Sequence, residues 1–78
     1  MNPRESLRNA VDHLERGEWE AAHKIVQSDE SAQGCWLHGI VHLLEGDLDN
    51  ARYWYTRASR TFSTDAAAEI AAARKTIT

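Results

Sequence analysis

One segment of the chain occurs twice, and this repetition constrains the fold more than any other feature of the sequence. The residues from His13 to Ala22 match those from His42 to Ala51 at a spacing of 29 positions. His, Leu, Gly and Ala coincide in the two copies, and an acidic–apolar–acidic run follows the glycine in each. A helix that ends at a glycine, followed by a second helix with an acidic start, is a helical hairpin. A repeat in this length range is typical of proteins that stack such hairpins around a shared core.

The spacing of apolar residues predicts five helices. The chain has four glycines, one proline and no hairpin-turn dipeptide, so we expect no strands. Asn2 and Pro3 are typical of a helix start. Small residues are expected where paired helices meet, with Ala51 against Gly39 and Ala22 against Ala10. The clearest apolar stripe belongs to the fourth helix, at spacings of 3, 4, 3 and 4: Leu48, Ala51, Tyr55, Ala58 and Phe62.

Length and charge limit the class of protein further. A chain of 78 residues forms one domain, and the pattern predicts an all-α domain over 1–78, with hairpins over 3–28 and 31–62 and a capping helix over 65–77. A single cysteine is typical of a reducing, cytoplasmic location, and the short apolar runs predict no membrane span.

Residues 1–50 carry ten acidic and four basic side chains, net −6, whereas residues 51–78 are net +3. This asymmetry can orient two copies or present a basic end to an anion.

The second hairpin resembles the tetratricopeptide repeat at Gly39, Gly46-Asp47, Ala51, Tyr55 and Ala58. The period of 29 is shorter than the usual value of about 34, and no proline follows either hairpin. The resemblance implies an all-α fold of two tetratricopeptide-like hairpins with a concave side that binds peptides.

A longer stretch, over residues 13–58, resembles a group of short bacterial proteins of unassigned function. The shared pattern includes Trp-x-His-x-x-x-His-x-x-Glu-Gly-Asp-x-x-Asn-Ala-Arg-Tyr-Trp-Tyr-x-Arg-Ala, which this chain has from Trp36 to Ala58. Before it, the chain also has the group's His, Gly, Trp, Ala and His, with Glu18 in place of Asp. The resemblance supports the fold and implies no activity.

Four residues that could bind a metal lie on one stripe of the third predicted helix: Cys35, His38, His42 and Glu45. His38 and His42 have the i, i+4 spacing that allows two imidazoles to bind one metal ion from a single helix. A third ligand could come from His13 or His23 on a neighbouring helix. The alternative is that these histidines are polar groups in helix–helix contacts, hydrogen-bonded to the backbone or to carboxylates. If the site does bind a metal, we expect zinc or another divalent transition metal.

A wide apolar arc on the third helix predicts either an interaction surface or a contact with the fifth helix. Trp36, Ile40 and Leu43 would lie on the concave side, and Trp54 has the same two alternatives. Tyr53, Arg57 and Arg60 are spaced i, i+4, i+7, which predicts a shared outer face on the fourth helix, suited to an acidic partner segment. So few arginines on a net-negative protein are a small footprint for nucleic acid, which we do not expect as a partner.

These observations favour a small, non-enzymatic protein-interaction module that self-associates as a homodimer. No glycine-rich phosphate loop, activated serine or second buried carboxylate accompanies the histidines, so we expect no catalytic residues. The alternative function is a metal or small-ligand site on the histidine-rich third helix.

Overall fold

Five helices and short connections make up the part of the chain that the computed structural model describes, residues 3–77. The predicted cap Asn2 lies outside these residues. No strand occurs within them, which confirms the all-α prediction. None of the helices in this part is long and apolar enough to cross a membrane. The helices are α1 (Pro3–Glu15), α2 (Trp19–Val26), α3 (Ala32–Glu45), α4 (Leu48–Arg57) and α5 (Ala66–Ile77).

The two hairpin turns have the same geometry, as the repeat predicts. Gly17 and Gly46 adopt left-handed backbone conformations, with φ of 75° and 91°. After each glycine, the next amide donates to a histidine carbonyl: Glu18 to His13 and Asp47 to His42, both at 2.9 Å. The same two carbonyls also accept from Arg16 and Gly46, so this hydrogen bond gives each a second donor beyond the helix end, and the left-handed residue that permits it is usually glycine.

Helix α3 lies at the centre of the molecule and packs against all four other helices. Its residues from Gly34 to His42 are all buried. Gly39 permits the close approach of α4, because a Cβ atom there would lie 2.5 Å from a ring carbon of Tyr55 and 3.3 Å from the carbonyl oxygen of Ala51. The predicted small-residue contact between Gly39 and Ala51 is therefore confirmed.

Helix α4 ends earlier than its apolar stripe predicts. It stops at Arg57, and Ser59 adopts a left-handed conformation with φ of 58°. The amide of Arg60 then donates to the Tyr55 carbonyl at 3.1 Å, which closes the helix in the same way as the glycine turns. Phe62 lies in the connection to α5 and contacts Tyr55 edge to face, with ring centroids 5.5 Å apart. The extension of this helix to Phe62 was wrong, although Phe62 still packs against the core.

Helix α5 covers the apolar arc of α3. It packs against α1 and α3, and one carboxylate oxygen of Glu69 accepts hydrogen bonds from Trp36 Nε1 at 3.1 Å and from the Tyr55 hydroxyl at 2.6 Å. Burial and the bond to Glu69 raise the pKa of Tyr55 well above its usual value, so the hydroxyl remains a donor. At the other end of the helix, Arg74 forms ion pairs with Asp12 and Glu15 of α1.

Candidate metal centre

Three of the four histidines meet where α2 packs against α3. His23 comes from α2, and His38 and His42 come from consecutive turns of α3. The ring centroids lie 4.8 Å apart for His23 and His38, 5.6 Å for His23 and His42, and 5.1 Å for His38 and His42. One nitrogen from each ring lies within 4.8 Å of the other two. We call these three residues the histidine cluster.

The local sequence explains how the cluster is positioned. Ser31 begins α3, because its hydroxyl accepts a hydrogen bond from the Gly34 amide at 3.0 Å. Ala22 is fully buried and directs the side of α2 that carries it into the core, so His23, the next residue, lies at the edge of the contact with α3. The i, i+4 spacing on α3 then places His38 and His42 one above the other, both facing His23.

His38 is the most enclosed member of the histidine cluster. Its residue is 4% exposed, and its Nδ1 atom is buried without a hydrogen-bond partner among the described residues. The indole of Trp54 stacks on the imidazole with ring centroids 3.8 Å apart and planes 10° from parallel. Burial above all, and then the neighbouring His23, His42 and Arg57, lower the pKa of His38 to about 4. The ring is therefore neutral at physiological pH, which is the form that binds metal ions.

His42 is oriented by a carboxylate. Its Nδ1 lies 2.7 Å from Glu45 Oε1, one helical turn further along α3. A neutral imidazole donates its Nδ1 proton to this oxygen, which leaves Nε2 with its lone pair available to a metal ion. Metal-binding histidines commonly have such a carboxylate partner, because it fixes the tautomer and makes the ring more basic.

Three of the six predicted candidate ligands are not members of the histidine cluster: His13, Cys35 and Glu45. His13 lies at the turn equivalent to that of His42, but its Nδ1 pairs with Glu18 at 2.8 Å on the side of the α1–α2 connection. Cys35 is buried in the core, and its thiol donates to the Glu30 carbonyl at 3.9 Å. Of the two predicted alternatives for a third ligand, the structure brings His23 to His38 and His42, because α2 carries it onto α3, whereas His13 pairs with Glu18. Glu45 contacts the cluster through its hydrogen bond to His42.

A second group of potential ligands shares His42. Glu45 and Asp47 each offer a carboxylate oxygen within 4.8 Å of a His42 nitrogen. Both acidic side chains are exposed, and Asp47 already accepts a hydrogen bond from the Asn50 amide at 3.2 Å as the N-cap of α4. Because solvent and the N-cap hydrogen bond already satisfy these two carboxylates, the second group of ligands is the weaker candidate for a metal site.

The predicted partner surface on α3 is not accessible. Trp36 and Ile40 are 1% and 0% exposed, Glu69 of α5 and the guanidinium of Arg60 both contact Trp36, and Leu43 is half-buried. Of the two alternatives for the apolar arc, the structure therefore has the covered one. No short-range pattern in the sequence predicted that the arc is covered. Two buried donors, the Trp36 indole and the Tyr55 hydroxyl, do require an acceptor, and Glu69 provides it.

The predicted outer face of α4 is present in part. Tyr53 is 54% exposed, and Arg57 beside it donates to the Tyr53 hydroxyl at 3.4 Å and lies 5.0 Å from the Trp54 ring centroid. Arg60 does not share this face, because α4 has already ended, and its guanidinium lies 3.5 Å from the centroid of the Trp36 ring. Trp54 is half-buried and forms a wall of the histidine cluster, a role that helical spacing alone did not predict.

No protein-family model matches this chain, and no curated protein or solved structure is significantly similar to it. The resemblances to the tetratricopeptide repeat and to the group of short bacterial proteins therefore stay predictions.

Proposed function

We propose that the protein binds a divalent first-row transition metal ion, zinc foremost, through the histidine cluster. The observation that carries this proposal is the buried, unpartnered Nδ1 of His38 in a group of three imidazoles. An unsatisfied polar atom in a protein interior costs about 1–3 kcal/mol, and native proteins usually avoid it. A metal ion shared by the three rings would offset that cost.

The composition of the histidine cluster fits this class of ion. Imidazole nitrogens are good ligands for zinc, copper and nickel, whereas magnesium and calcium prefer oxygen. Zinc lies about 2.0–2.1 Å from its nitrogen ligands, which places those nitrogens about 3.3 Å apart. The nitrogens of the cluster are within 4.8 Å of one another, so modest ring rotations would bring them into range. His23 is half-buried and has the most room to move.

Three protein nitrogens leave one position of a tetrahedral site for water or an external ligand. Glu45 would act as the orienting partner of His42 and Trp54 as the wall behind His38. The proposal is the binding of a metal ion, without a reaction.

Calorimetric titration of chelator-treated protein with zinc chloride tests this proposal. Wild-type protein should bind one zinc ion per chain, and His23→Asn or His42→Asn should weaken binding more than about 100-fold, since even outer partners contribute 10- to 100-fold. Glu45→Gln should weaken it about 10-fold or more for that reason. His13→Asn is the matched control and should bind zinc as the wild type does, because His13 has its own carboxylate partner and lies outside the cluster.

Two results would remove the metal proposal. One is the absence of zinc binding by chelator-treated wild-type protein that circular dichroism shows to be folded. The other is an equal loss of affinity in His13→Asn and His23→Asn, which would indicate adventitious binding by surface histidines. Substitutions at His23 have the least effect on the core, because this member of the cluster is only half-buried.

An interaction role remains the second candidate, and a different observation favours it. Among the described residues, two large hydrophobic side chains are about half exposed, Leu48 and Tyr53, and both belong to α4. Exposed apolar side chains on one element favour a protein partner. A cytoplasmic location belongs to the same proposal, since the unpaired Cys35 is compatible with a reducing compartment.

A further inference from the structure

Helix α4 has one side without a neighbour. Among the helices of residues 3–77, its backbone packs closely against α3 alone. Asp49, Tyr53 and Arg57 follow one another at intervals of four residues on the opposite side, and all three are exposed. A spacing of four residues places side chains in a row, with about 6 Å between successive members along the helix axis. We call this row the outer face of α4.

Neither charge of the outer face forms an ion pair with a described residue. Asp49 has no hydrogen bond or ion pair with any described residue. Arg57 lies over the Trp54 ring and bonds to the Tyr53 hydroxyl, but it pairs with no carboxylate in the described part of the chain. By contrast, Arg74 forms ion pairs with two carboxylates. The outer face therefore presents one negative and one positive charge, neither ion-paired with a described residue, on either side of an exposed aromatic ring.

We infer that the outer face of α4 pairs with the outer face of a second copy of this chain, in an antiparallel contact with two-fold symmetry. A two-fold axis at Tyr53 brings Asp49 of one copy to Arg57 of the other, and the reverse pair forms on the other side of the axis. The same antiparallel arrangement brings the negative end of each helix dipole near the positive end of its partner. A parallel arrangement would instead oppose like charges.

The charge distribution of the whole chain favours the same partner. Residues 1–50 are net −6 and residues 51–78 are net +3, and α4 spans the boundary. Within α4 itself, Asp49 lies near the amino end and Arg52 and Arg57 lie towards the carboxyl end, so an antiparallel contact places the acidic end of one α4 against the basic end of the other. A nucleic acid would meet the basic part but would be repelled by the acidic part beside it.

The size of the outer face limits the strength of the contact. Ten residues of one helix bury less than a standard interface of about 1,600 Å², so we expect a reversible dimer with a dissociation constant in the micromolar range or weaker. Tyr53, with Trp54 packed edge-on at a centroid distance of 5.1 Å, provides the apolar contact. The charge pairs provide orientation, and salt should weaken them.

Charge reversal tests this inference by sedimentation equilibrium in the presence of a chelator, which separates it from the metal proposal. Asp49→Arg makes both charges of the outer face positive, and Arg57→Asp makes both negative, so each variant alone should be monomeric. An equimolar mixture of the two should form a heterodimer, and the doubly reversed variant should dimerise as the wild type does. Arg8→Asp and Glu20→Arg are matched controls, because they make the same charge changes at exposed positions on α1 and α2.

Monomeric wild-type protein at millimolar concentration would overturn the inference. So would dimers that persist in both single variants, or a mixture of folded variants that remains monomeric. The mixture and the doubly reversed variant distinguish lost charge pairing from local unfolding. If a single variant failed to dimerise because it had unfolded locally, a second charge change would not restore the dimer.

Discussion

The hydrogen bonds of Glu69 give the sharpest prediction about how this small protein is held together. One carboxylate oxygen accepts from Trp36 Nε1 at 3.1 Å and from the Tyr55 hydroxyl at 2.6 Å, and both donors belong to side chains that are 1% exposed or less. Glu69→Ala leaves both donors without an acceptor in the core. We expect this change to lower the free energy of unfolding.

The magnitude follows from the two lost bonds. Hydrogen bonds to a charged group contribute about 1.5–3 kcal/mol each, and an unsatisfied buried donor costs about 1–3 kcal/mol. Since water can reach part of the space left by the half-buried Glu69, we expect a loss of about 2–4 kcal/mol in Glu69→Ala. A domain of this size has a total stability of about 4–12 kcal/mol, so this is a large fraction. Glu69→Gln keeps an oxygen acceptor and should lose about 1 kcal/mol.

Urea unfolding followed by circular dichroism measures these differences, and a double-mutant cycle with Tyr55→Phe isolates the coupling between the carboxylate and the hydroxyl. We expect a coupling energy of about 1–2 kcal/mol. If Glu69→Ala changed the free energy of unfolding by less than about 0.5 kcal/mol, or if the coupling were zero, these bonds would not hold α5 on α3.

Two further predictions concern packing and pH. Gly39→Ala should destabilise the protein by about 1–3 kcal/mol in urea unfolding, despite the better helix propensity of alanine, because the added Cβ would lie 2.5 Å from the Tyr55 ring. Gln33→Ala, at an exposed position of the same helix, is the control. An equal loss of stability in both variants would refute the close approach of α4 to Gly39. The pKa of His38 is about 4 in the folded protein, below the value of 6.5 expected in the unfolded chain. The stabilisation that comes from the neutral imidazole is therefore complete above pH 6.5 and is lost as the pH falls towards 4. Chelator-treated wild-type protein should therefore lose about 2–3 kcal/mol more than His38→Phe between pH 7 and pH 4, and parallel stability curves for the two proteins would contradict the lowered pKa.

The helices and turns were predictable from sequence because their causes are local. The 29-residue repeat indicated both glycine turns, and Gly17 and Gly46 have the left-handed geometry that ends a helix. The end of α4 was not predictable in this way. Ser59 adopts a left-handed conformation that most residues avoid, and the apolar stripe gave no sign that the helix stops before Phe62.

The candidate site was predictable in part. The i, i+4 spacing identified His38 and His42, but the third member depended on where α2 crosses α3. His13 and His23 were equivalent candidates in the sequence, and Glu18 and the packing of Ala22 decide between them in the structure. Such choices depend on contacts between distant residues, which helical periodicity does not contain.

The burial of the apolar arc of α3 was not predictable for the same reason. Trp36 and Ile40 suit an interface as well as a core, and only the position of α5 distinguishes the two. That position depends on Glu69 and on the ion pairs of Arg74 with Asp12 and Glu15, which lie 59 or more residues away along the chain. Of the two partner surfaces that the sequence predicted, the one on α3 is buried, and Tyr53 and Arg57 on α4 are exposed.

Nitrogen NMR of the imidazole rings during a zinc titration tests the central proposal most directly, because it reports on each histidine separately. We predict that one equivalent of zinc changes the ring nitrogen shifts of His23, His38 and His42 to those of metal-bound imidazole and leaves His13 unchanged. The Nε2 atom of His42 should be the nitrogen that binds, since Nδ1 faces Glu45. Unchanged shifts in all four histidines, or a response centred on His13, would contradict the proposed metal site.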